Sequence, residues 1–218
     1  MKKLNLNEWK GRKHYEWFKT YDSPTYTLTS TLDITEFIAF IKKQNLSFFI
    51  PFLYLITKAL NEIPEFRLRM MNNDVIEYEV IHPAYTVMTH EGVFDNCENQ
   101  YYSDFNVFYQ ETKRAIDQAK VGVKTNRPYN DFSTLDQFYF SSLPWIDFVG
   151  VTHPIPKDMT ISVPRIVWGK YYQEGNATKI HLNMCVHHGL IDGYPLALAF
   201  IKIQEYLSSP GSHILFGS

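Results

Sequence analysis

Along this chain, short runs of period-two alternation are interleaved with longer stretches whose apolar residues recur every three or four positions. Asn7 is a candidate N-cap for a helix running to about Tyr21, which Asp22-Ser23-Pro24 ends. Tyr26, Leu28 and Ser30 then alternate with threonines in a β-branched run, the pattern of a strand. Thr35 caps a helix carrying Phe37, Ile38, Phe40 and Ile41. A more apolar, buried helix follows from Pro51 to Ile63, with Pro64 beyond its end. A hairpin is predicted around Asn72-Asn73-Asp74, joining Phe66–Met70 to Val75–Val80. Ala84–Met88 reads as a strand, and Asp104–Ala119 as a helix with Phe105, Phe108 and Ile116 on one side. Phe138–Leu143 is a strand stopped by Pro144. The last third is the clearest: strand Thr160–Tyr172, a turn at Glu174-Gly175-Asn176, strand Lys179–His188, then a helix from Tyr194 to Leu207. Strands and helices mixed without strict βαβ order predict an α/β fold, a two-layer sandwich around a mixed β-sheet. No repeat, low-complexity tract or linker divides the 218 residues, so the expectation is a single domain over 1–218.

Composition narrows the partners. Formal net charge is −2 with no basic stripe, which argues against nucleic acid. The longest apolar run, Phe48 to Ile56, contains Pro51 and is too short to span a bilayer, and the N-terminus has no secretory signal, so no membrane is expected. The two cysteines, Cys97 and Cys185, form no Cys-x-x-Cys pair. A reduced cytoplasm and no metal are expected. Aromatic residues reach 16%, as consistent with aromatic-lined pockets or subunit contacts as with a sheet-rich core.

The residues that carry chemistry are His187-His188-Gly189-Leu190-Ile191-Asp192-Gly193, at the junction of the last strand and the last helix. Imidazole titrates near neutrality and can accept a proton in one step and return it in the next. Side chains alternate along a strand, so His187 and His188 point to opposite faces and only one can serve a given cleft. Asp192 stands where an N-cap belongs, with Tyr194-Pro195 just inside the helix.

This unit, followed by Tyr194, resembles the His-His-x-x-x-Asp-Gly signature of the chloramphenicol acetyltransferase family. Further landmarks occur in the family's order: Trp9 with Arg12, His14, Tyr15 and Glu16; Leu32-Asp33-Ile34-Thr35; Pro64-Glu65-Phe66-Arg67; Tyr85-Thr86-Val87; Ser141-Ser142-Leu143-Pro144-Trp145; and Gly169-Lys170-Tyr171-Tyr172-Gln173-Glu174-Gly175. The resemblance implies an acetyl-CoA-dependent O-acetyltransferase that acts on a small hydroxylated acceptor and forms a homotrimer with its sites between subunits. It implies His188 as general base, Ser141 as donor to the oxyanion, and Asp192 as a support for the site. Lys170 and Tyr171 would contact coenzyme A, with Phe18, Phe94, His153 and Arg165 around the acceptor.

Several positions depart from the family pattern. Gly11 stands where the family carries the arginine that pairs with the motif aspartate, leaving Arg12 as the candidate support. Cys185 replaces a glutamine and Pro195 a histidine, and basic and aromatic groups are missing near Phe48–Ile50. His153 and Arg165 introduce polarity into the acceptor pocket, so weaker turnover of chloramphenicol than of another alcohol is expected. Dihydrolipoyl acyltransferase cores and peptide-synthetase condensation domains carry a similar motif. The chain is too short for the second and lacks the lipoyl regions of the first. The alternative from another class is a non-catalytic trimeric binding protein that retains the fold.

Overall fold

A computed structural model describes residues 1–122, 135–155 and 159–215. Its strands are β1 (Lys2–Lys3), β2 (Thr25–Asp33), β3 (Leu68–Met71), β4 (Asp74–Glu77), β5 (His82–Met88), β6 (Phe94–Glu98), β7 (Gln137–Leu143), β8 (Arg165–Gly169), β9 (Tyr172–Glu174) and β10 (Ala177–His187). Its helices are α1 (Arg12–Phe18), α2 (Thr35–Lys43), α3 (Phe49–Asn61), α4 (Phe105–Lys120) and α5 (Gly193–Ser208). The main sheet runs β2-β10-β8-β7-β5-β6, with β9 also paired to β10, and β1-β4-β3 form a small second sheet. The β5–β7 and β7–β8 pairs are parallel and the other main-sheet pairs antiparallel, which makes this the mixed sheet the pattern predicts.

Strand alternation gives the sheet two unlike faces. Ile180, Leu182, Met184 and Val186 of β10 belong to one continuous apolar cluster with α2–α5 and with Ile166, Trp168, Phe138, Phe140 and Tyr85. Phe52 and Phe49 of α3 meet the Trp168 ring at 5.1 and 5.8 Å on that face. The other face is polar. Ser141 pairs with Val167, Val167 with Asn183, and Asn183 with Thr29, and residues paired across a sheet share a face. Thr86 adds its hydroxyl at the β5 end, 3.2 Å from Ser141 Oγ.

Element boundaries differ from the pattern where local packing overrides it. α1 begins at Arg12 and ends at Phe18, because the chain before it is a turn in which Asn5 O accepts from Glu8 N and Trp9 N. Asn7 is therefore not the cap. Its Oδ1 accepts from Arg12 Nη1 instead, at 2.7 Å. At α2 the capping oxygen belongs to Asp33, which accepts from both N and Oγ1 of Thr35. The predicted strand from Thr160 starts only at Arg165, because Met159–Ser162 form a 3₁₀ turn. β6, which no clear alternation announces, adds an antiparallel edge beside β5. The Asn72-Asn73 hairpin is present, with both asparagines at positive φ (50° and 67°), as a two-residue turn of this hand requires.

Candidate active site

The histidine pair divides as strand alternation dictates. Val186 pairs with Tyr26, and His188, two residues on, stays on that same face. The main-chain N–H of His188 donates to Pro24 O. Its imidazole is clamped between two rings: Phe18 of α1 lies parallel at 4.1 Å, and Tyr26 of β2 lies at 4.4 Å. Among the described residues, Nδ1 is buried without a hydrogen-bond partner, whereas Nε2 does not share that enclosure. His187 turns into the other face and is almost completely buried. Its Nδ1 accepts from Gly189 N at 3.1 Å, and its carbonyl accepts from Leu190 N and Ile191 N, so His187 caps the turn that presents His188. Burial holds the His187 imidazole down to about 4, with the charge of His188 acting in the same direction. Gly189 brings this turn close to α1, since a Cβ there would stand 3.2 Å from Tyr15 Cα.

Asp192 caps α5 through Oδ1, which accepts from Tyr194 N at 3.0 Å. Among the described residues no ion pair involves Asp192. Arg12, expected as its partner, is turned toward solvent and bonded to Asn7. At Gly11, the residue before it, a side-chain carbon would overlap the indole of Trp9. The space an arginine would need there is filled by that indole.

Ser141 lies elsewhere. With Thr86, Phe94 and Met88 it lines a cleft of about 800 Å³ that runs between α4 and the loop ending at Trp145. His188 is not in that cleft. Asn183 is the β10 residue level with Ser141, two strands away, and His188 lies five residues further along on the opposite face. Strand rise and spacing put the two side chains roughly 20 Å apart.

The remaining candidates divide between exposed and internal positions. Phe94 is largely exposed at the cleft, and Phe18 is committed to the His188 stack. Lys170 is exposed, and its N–H donates to Ile146 O, beside the Trp145 wall. Tyr171 stacks at 5.6 Å on Phe48, so the stretch near Phe48–Ile50, expected to lack the family's basic and aromatic groups, carries an aromatic ring against Tyr171. Arg165 does not project a bare charge into the cleft. It is buried, its Nη1 donates to Thr160 O and Val163 O, and its guanidinium lies over the Tyr139 ring. His153 Nε2 is 2.9 Å from Asn183 Oδ1, and Asn183 Nδ2 donates to Thr29 Oγ1 at 2.8 Å, so the histidine closes an internal polar chain.

A family model described as chloramphenicol acetyltransferase matches residues 1–204. The chain belongs to the chloramphenicol acetyltransferase family. It is an acyltransferase. A chloramphenicol acetyltransferase of Escherichia coli is 28% identical over 206 residues, covering 93% of this chain and 92% of that protein. One from Staphylococcus aureus is 26% identical over 219 residues, covering 98% of both. A solved chloramphenicol acetyltransferase structure, 26% identical, superposes with a TM-score of 0.84 over 94% of this chain and all of that one. The dihydrolipoamide acetyltransferase of Azotobacter vinelandii shares the fold, at 18% identity and a TM-score of 0.68 over 94% of this chain and 89% of that one.

Within this acetyltransferase fold, two side chains around the site have no signal in the motifs: Tyr26 touches His188, and Asn183 links His153 to Thr29. Thr86, within the Tyr85-Thr86-Val87 landmark, touches Ser141. Each depends on cross-strand register. Tyr26 and Asn183 sit in ordinary alternating strands, and only the pairing of β2 with β10 shows what they face.

Proposed function

We propose that the protein transfers the acetyl group of acetyl-CoA to a hydroxyl of chloramphenicol, with His188 as general base. The observation that carries this reading is the His188 clamp: one ring nitrogen enclosed, the other open, in the family's own motif. Nε2 takes the proton of the acceptor hydroxyl as its oxygen attacks the thioester carbonyl. The oxyanion of the tetrahedral intermediate accepts a hydrogen bond from the Ser141 hydroxyl. Collapse expels the coenzyme A thiolate, which takes the proton back from the imidazolium. A base of this kind contributes about 10²–10⁴ in rate. A single oxyanion donor contributes about 10²–10³.

His188 and Ser141 of one chain lie roughly 20 Å apart on opposite sheet faces, far outside hydrogen-bond reach of one carbonyl. A homotrimer in which neighbouring subunits supply the two groups reconciles the motif with this separation. Lys170 supplies a cation for the phosphates of coenzyme A, and Tyr171 with Phe48 a stacking surface for its adenine. Asp192 acts through its cap on α5, holding the turn that bears His188.

Arg165 and His153 no longer argue against chloramphenicol, because their polar ends are bonded within the protein. The cleft at Ser141 is walled by Phe94, Met88, Tyr109, Ile116 and Trp145, an apolar aromatic lining suited to an aryl propanediol. The test is release of free thiol from acetyl-CoA with chloramphenicol, comparing the wild type with His188→Ala. The variant is expected to lose on the order of 10⁴ in turnover. Tight coenzyme A binding without turnover by the wild type would favour the non-catalytic binding protein.

A further inference from the structure

Among the described residues, two buried polar atoms without partners lie on rings in contact: Nδ1 of His188 and the hydroxyl of Tyr26. A buried donor left unbonded lowers stability, so such groups in native folds are normally satisfied by something the fold is built to receive. The Tyr26 hydroxyl is a donor at any working pH, because burial, with the Asp192 carboxylate second, pushes it up to about 12. The phenol cannot serve as a base. It can only donate its proton, and its ring lies 4.4 Å from the imidazole. Phe18, on the opposite side of the imidazole, has no polar atom, so it offers nothing equivalent.

We propose that the Tyr26 hydroxyl is a substrate-binding donor, bonded to the oxygen of the acceptor alcohol that His188 deprotonates. Resting on the acetyl-transfer reading, this adds one contact to it. The alcohol oxygen accepts from Tyr26 Oη–H and donates its own proton to His188 Nε2. Tyr26 keeps its proton throughout, and the oxygen's remaining lone pair attacks the carbonyl. The contact fixes the direction of the alcohol's O–H and stabilises the negative charge growing on its oxygen before the C–O bond forms.

Tyr26→Phe retains the ring against His188 and deletes only the hydroxyl. Wild type, Tyr26→Phe and His188→Ala would be compared in acetyl-CoA kinetics with chloramphenicol and a panel of simple primary alcohols, alongside thermal melting. Tyr26→Phe is expected to lower kcat/KM for the best acceptor about 10- to 100-fold and to leave KM for acetyl-CoA within about twofold. Its Tm is expected to equal or exceed that of the wild type, since an unbonded buried donor has been removed. Unchanged kcat/KM for the acceptor would overturn the proposal, as would activity lost together with a fall in Tm, which marks a structural hydroxyl. If His188→Ala is inactive while Tyr26→Phe is fully active, only this inference fails. If the wild type turns over no acceptor, or His188→Ala is as active as the wild type, the acetyl-transfer reading fails and this contact with it.

Discussion

The phenyl ring of Phe18 lies flat on the imidazole of His188, 4.1 Å between centres and 8° between planes. α1 supplies that ring, and Gly189 permits the approach by leaving room for the Tyr15 backbone. The stack orients a ring that, among the described residues, no hydrogen bond from Nδ1 orients. An aromatic pair of this kind is worth about 0.5–1.5 kcal/mol. Phe18→Leu is therefore expected to lower kcat about 2- to 10-fold with little change in KM for acetyl-CoA, measured by steady-state kinetics.

His187 sets a pH dependence of stability separate from catalysis. Its folded-state value of about 4 lies below the ordinary 6.5, so between these values the unfolded chain binds more protons than the native one. The contribution is complete above pH 6.5 and is lost as pH falls toward 4. At pH 5 this amounts to about 2 kcal/mol relative to pH 7. His187→Asn keeps an acceptor for Gly189 N and has no titrating group. Denaturant unfolding at pH 7 and pH 5 is expected to show a smaller loss in the variant than in the wild type.

Separation of His188 from Ser141 makes subunit complementation a direct test. His188→Ala and Ser141→Ala are each expected to be impaired, by about 10⁴ and 10²–10³ respectively. Co-refolded together, they should regain activity above that of either alone, because some interfaces then join an intact His188 to an intact Ser141. Sedimentation of the same samples should give a species of three chains. An active monomer, or a mixture no better than its components, would remove the shared site.

Asn183 is fully buried and bridges His153 to Thr29. Asn183→Leu fills the volume but breaks both bonds, each worth about 1 kcal/mol. A fall in Tm of roughly 3–8 °C is expected for a chain of this length. Thermal melting, with His153→Ala and the double variant completing the cycle, would separate the histidine bond from the rest.

Much of this protein was legible in its sequence because the signals are local. The threonine alternation of Thr25–Asp33, the asparagine turn at Asn72-Asn73 and the helical spacing that begins at Asp104 each follow from the chemistry of a few adjacent residues. The signature from His187 to Gly193 is equally local, and with it came the family and the assignment of the two histidines to opposite faces. What the sequence could not decide depends on which strands lie side by side. Strand order put Ser141 two strands from His188, a long-range outcome of how the mixed sheet is assembled. Side-chain partners were likewise decided in three dimensions. Arg12 bonds to Asn7 and not to Asp192, and Arg165 turned to the carbonyls of the 160–163 turn because burial leaves no charged donor unbonded. Spacing along a chain fixes periodicity. Which polar atom finds which partner is fixed only once packing has closed off the alternatives.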